Sequence, residues 1–73
     1  MIKKIIIREY YVGNGNLKFI TQLSLKKPIV VDRFEDAKKQ IKKLIRPNRK
    51  SYSFSVSWER DGLEEGYQMR KST

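Results

Sequence analysis

Seven basic residues and no acidic one stand between positions 38 and 50: Lys38, Lys39, Lys42, Lys43, Arg46, Arg49 and Lys50. The other 60 residues carry 10 basic and 8 acidic side chains, so the net charge of +9 on 73 residues originates almost entirely in this segment. Such a row of cations suits phosphates spaced along a nucleic acid. Each neutralised phosphate releases condensed counterions and adds affinity whatever the base sequence. The same face also reads as the ordinary solvated side of an amphipathic helix, with Glu35 at the i, i+4 spacing to pair with Lys39. The whole-chain excess tips the balance, because self-repulsion opposes compaction unless an acidic partner offsets it.

Other chemistry is thinly supplied. The chain has neither His nor Cys, which removes the imidazole base, the thiolate nucleophile and the usual zinc and iron–sulfur ligand sets. Glu9, Asp32, Glu59, Asp61, Glu64 and Glu65 supply carboxylates, and no spacing among them resembles a metal-ligand set. The expectation is a non-enzymatic module without metal or cofactor. Gly13-Asn14-Gly15-Asn16 lacks the helix start and lysine of a phosphate-cradling loop and reads as a hairpin turn.

The elements that must position the cations follow from periodicity. Ile2 to Val12 is rich in Ile and Tyr and reads as a strand. After the turn, Leu17, Phe19, Thr21, Leu23 and Leu25 alternate with Lys18, Ile20, Gln22 and Ser24, the pattern of a half-buried antiparallel strand. Ile29-Val30-Val31 is a short apolar run that either adds an edge strand or simply leads into the helix. From Arg33 to Arg46 the period changes, and Phe34, Ala37, Ile41, Leu44 and Ile45 share one face of a helix. Asp32 stands in place to cap it, and Pro47 stops it. Lys39, Lys42, Lys43 and Arg46 fall within about 100° of arc opposite the apolar stripe, and Arg49 and Lys50 extend the ridge into the loop.

Tyr52, Phe54, Val56 and Trp58 then alternate with Ser51, Ser53, Ser55 and Ser57, giving one aromatic and one hydroxylic face. Asp61-Gly62 offers a turn, and Gly66 to Lys71 a final strand. The order ββ(β)αββ predicts one α+β domain spanning residues 1–73: a small antiparallel sheet of four to five strands with one amphipathic helix on one face.

Two further surfaces enter as expectations. The sheet face opposite the helix carries the serines, Ser53 among them, with Lys18, Gln22 and Arg70, groups that hydrogen-bond to phosphates and base edges. Tyr52, Phe54 and Trp58 share a face with Val56 and read as core. Tyr10 and Tyr11 point to opposite sides of their strand, which makes the pair a candidate partner-interface anchor. The helix opening Phe34-Glu35-Asp36-Ala37-Lys38-Lys39 resembles that of the arm-type DNA-binding domains of mobile-element integrases, where a short antiparallel sheet precedes the helix. The likeness spans about 30 residues, and the chain departs from it downstream by adding two strands. It implies a DNA partner, and separately the small size and the Lys and Ile richness of the composition point to a phage or mobile-element setting.

The rival expectation is a small inhibitor or adaptor that docks on the acidic surface of a host nucleic-acid-processing or defence protein. A homodimer is a third, because the sheet leaves a face and edges uncovered. Membrane binding ranks last, since the apolar helix face is needed for the core. With no long apolar run and no signal-like start, the reading is a soluble cytoplasmic protein.

Overall fold

The computed structural model describes residues 1–13, 16–46 and 52–71. Four strands, β1 (Ile2–Gly13), β2 (Asn16–Leu25), β3 (Tyr52–Arg60) and β4 (Leu63–Lys71), and one helix, α1 (Phe34–Leu44), follow one another as ββαββ. The strands form one fully antiparallel sheet in the order β2-β1-β3-β4, which makes β2 and β4 the edges.

One face of the two central strands carries the core. Ile5 and Ile7 of β1 meet Phe54, Val56 and Trp58 of β3, and Ala37, Ile41 and Ile45 close over them with Ile2 and Val31. Burial on this scale supplies the driving force for a chain with little surface to spare. Trp58 is the largest fully buried side chain, and Phe34 packs on its ring at 5.4 Å between centroids. The alternating aromatic and serine pattern therefore places Phe54 and Trp58 inside, with Tyr52 half-buried beside Phe54.

Two irregularities shape the sheet. Against β3, the register of β1 shifts between Lys3 and Ile6, and Lys4 takes a left-handed φ of 54°. This extra residue lets Ile2 and Ile5, three apart, both point inward, and brings Lys3 and Lys4 together on Glu59 at 3.5 and 2.9 Å. Against β2, Glu9 faces Thr21 but Tyr10 faces Phe19, so Ile20 is an additional residue on β2.

That second bulge corrects the alternation expected for β2. Thr21, Leu23 and Leu25 lie on the helix side, whereas Phe19 falls on the opposite face, edge-to-face with Tyr10 at 5.8 Å. Further differences from the sequence expectation are local. Ile29 makes one isolated bridge to Ile2 rather than a third strand, because Lys26-Lys27-Pro28 breaks the pairing. The helix runs from Phe34 to Leu44 rather than from Arg33 to Arg46. Arg33 is its N-cap residue, with no side-chain cap bond, and the Asp32 carbonyl accepts from the Arg60 guanidinium at 2.9 Å instead. Strand β4 starts at Leu63, three residues before the expected Gly66, because Asp61-Gly62 closes a two-residue turn with φ of 53° and 80°. Positive φ at both positions is the twist-matched hairpin geometry that Asp-Gly favours.

Candidate nucleic-acid interface

The exposed face of α1 is built by the same periodicity that buries its other side. With Ala37 and Ile41 fully buried, Lys39, Lys42 and Lys43 turn away from the sheet, and all three are exposed. Among the described residues none of them is ion-paired: the chain's bridges are Lys3 and Lys4 with Glu59, Arg33 with Asp36 at 3.5 Å, and Arg60 with Glu65 at 2.7 Å. Glu35 is not joined to Lys39, and the nearby Asp36 is engaged by Arg33.

Other predicted residues separate from this ridge. Lys38 is half-buried and leans to the sheet, its ammonium 5.8 Å from the Phe34 ring centroid and 5.6 Å from that of Tyr67. Arg46 lies beyond the helix end, because Ile45 is already extended and donates its N–H to the Lys42 carbonyl at 3.3 Å. It is exposed and borders a groove with Glu9, Thr21, Leu23 and Leu44. Leu44, expected in the core, is 49% exposed at this groove. Arg49 and Lys50, with Pro47 and Ser51, lie outside the described residues.

The open-face expectation needs two corrections. Lys18 pairs with Tyr11, which pairs with Tyr52 on the helix side, so the bulge at Ile20 moves Lys18 from the serine face to the face of α1. Ser53 is only 5% exposed, flanked across the strands by Tyr10 and Arg70, and presents little surface to a partner. What that face does offer is Ser55, Ser57, Gln68 and Arg70 beside Arg8, whose Nε donates to the Gln22 Oε1 at 3.1 Å. Arg8 was absent from the sequence expectation, although its spacing of two from Ile6 and Tyr10 puts it on their side.

Tyr10 and Tyr11 do point to opposite faces. Tyr10 is half-buried against Phe19, and Tyr11 is 46% exposed on the helix side. Between α1 and β4, Glu35, Lys38, Lys39 and Lys42 line a groove with Tyr67, Gln68 and Met69. The Tyr67 hydroxyl is buried there without a hydrogen-bond partner among the described residues, and desolvation pushes its pKa up.

Electrostatics elsewhere serve the scaffold. The Trp58 indole donates to Glu65 Oε2 at 3.0 Å and Arg60 to Oε1, and these two bonds hold the Glu65 carboxyl below its usual range against a smaller effect of burial. The bond from Lys4 does the same for Glu59. Among the described residues no cluster of acidic side chains is placed to hold a metal ion, and no helix is long and apolar enough to cross a membrane. No family model, curated protein or solved structure matches the chain.

Proposed function

We propose that the protein is a small non-enzymatic nucleic-acid-binding module, with DNA as the preferred polymer, that lays the outer face of α1 along a phosphate backbone. The supporting observation is the row Lys39, Lys42 and Lys43: exposed, on one helix face, and free of ion pairs with the described carboxylates. Arg46 is exposed just past the helix end, and Arg49 and Lys50 follow it in sequence. Contacts of this kind fix position on the polymer and carry no base readout, so affinity is set by charge and salt.

Titration of a fluorescent duplex at several salt concentrations tests the reading. Six contacts, from Lys39, Lys42, Lys43, Arg46, Arg49 and Lys50, give log affinity a slope of about −5 against log salt. A flat response removes it. An effect of Tyr11→Ala on capture of a host protein that exceeds the effect of any one lysine change would favour the acidic-protein adaptor instead.

A further inference from the structure

The two edges of the sheet are guarded very differently. Strand β4 carries Glu64, Glu65, Arg70 and Lys71 among its nine residues, charges of the kind that keep an edge from pairing with another chain. Strand β2 is longer, ten residues, and has one charge, Lys18. Nine of its residues are exposed and the tenth, Leu25, is half-buried. Of the nine large apolar side chains exposed on the described surface, four lie here: Leu17 at 50%, Phe19 at 55%, Ile20 at 37% and Leu23 at 53%. In a chain that is one-third charged, this is the one long strand kept nearly free of charge and left at an edge. Depletion of charge with apolar enrichment is the composition of an interface core, and the outer edge of β2, which pairs with no other described strand, offers a row of backbone groups that an added strand can bond.

We propose that β2 pairs antiparallel with β2 of a second copy, joining two sheets into one of eight strands. A second copy fits because the strand is self-complementary about its middle. Pairing residues whose numbers sum to 41 sets Leu17 against Ser24, Lys18 against Leu23 and Phe19 against Gln22. The bulge at Ile20 makes each of these pairs share a face. The two Lys18 side chains then never oppose each other, and Lys26-Lys27-Pro28 ends the ladder. A ten-residue edge about 33 Å long buries on the order of 600 Å² per partner, at the lower end of stable interfaces.

The pairing has a geometric consequence. Antiparallel pairing within one sheet places the two-fold axis perpendicular to it, so both copies of α1 stand on the same face. Each helix packs over β1 and β3, which sets the two helix axes about 20 Å apart, with both lysine rows directed to one side.

Light scattering without nucleic acid tests this independently of the binding reading. The wild-type chain is expected at twice its 8.7 kDa, and Phe19→Lys with Leu23→Lys at the monomer mass, with the far-ultraviolet circular dichroism spectrum retained. The absence of cysteine permits a second measurement that does not depend on the double variant folding. A short bis-maleimide should link Thr21→Cys into covalent dimers and leave Gln68→Cys, on the far edge, as monomer. A monomeric wild type up to hundreds of micromolar, a dimer unaffected in mass by the two lysines, or cross-linking through Gln68→Cys but not Thr21→Cys would each overturn the proposal.

Discussion

The hydrogen bonds on Glu65 make a single side chain responsible for part of the acid response. Its carboxyl is held low first by the Trp58 indole and then by Arg60, whereas in the unfolded chain it titrates in the ordinary range. A lowered folded value means that the stabilisation is complete above the unfolded pKa and disappears as pH falls through the folded one. Glu59, held low by Lys4, acts in the same direction. The urea midpoint is therefore expected to fall between neutral and strongly acidic pH, and Glu65→Gln to flatten that fall; an unchanged slope would detach Glu65 from it. Gly66 makes a sharper steric claim. A Cβ there would stand 2.3 Å from the Val56 carbonyl oxygen, so Gly66→Ala must displace β4 from β3, with an expected loss of about 1–3 kcal/mol in chemical denaturation. Tyr67→Phe runs the other way. It removes a buried hydroxyl that no described residue satisfies, and should leave stability equal or raise it by about 1 kcal/mol.

Elements were legible wherever periodicity alone determined them. The hairpins at both ends, the switch to helical spacing after Arg33 and the aromatic face of β3 all follow from side-chain alternation, and one helix on one sheet face follows from the order. What could not be read was register. An extra residue at Ile20 has no compositional mark, yet it carries Phe19 to one face and Lys18 to the other, reversing the side assigned to both. The helix cap was misread because Asp32 is one residue too early, and Arg33 occupies the position instead. Leu44 matched the apolar stripe, but α1 sits over the central strands and leaves the groove beside β2 open, so the last turn is only partly covered. Of the candidate site, Lys39, Lys42 and Lys43 were legible because a helix wheel is rigid. Arg46 was not, since the wheel ends at Leu44. The helix depends on its inner face: Ile41, fully buried, should cost about 2–5 kcal/mol as alanine, measured by denaturant unfolding, a large share of a small domain's stability.

At the scale of the molecule, the division of charge organises the surface. Carboxylates are engaged along the β3–β4 side, where Glu59 and Glu65 hold Lys3, Lys4 and Arg60, and at the start of α1, where Asp36 holds Arg33. The middle and end of α1 keep their positive charge. Consequently Lys39→Gln, Lys42→Gln and Lys43→Gln together should alter binding with little effect on folding, since exposed charges away from packed features change stability by about 0.5 kcal/mol or less. The most direct measurement compares this triple variant with the wild-type chain in salt titrations on one duplex. A salt slope shallower by about 3, with the unfolding midpoint unchanged, is the predicted result. Equal slopes and equal affinities for the two proteins would contradict a role for the outer face of α1 in meeting phosphate.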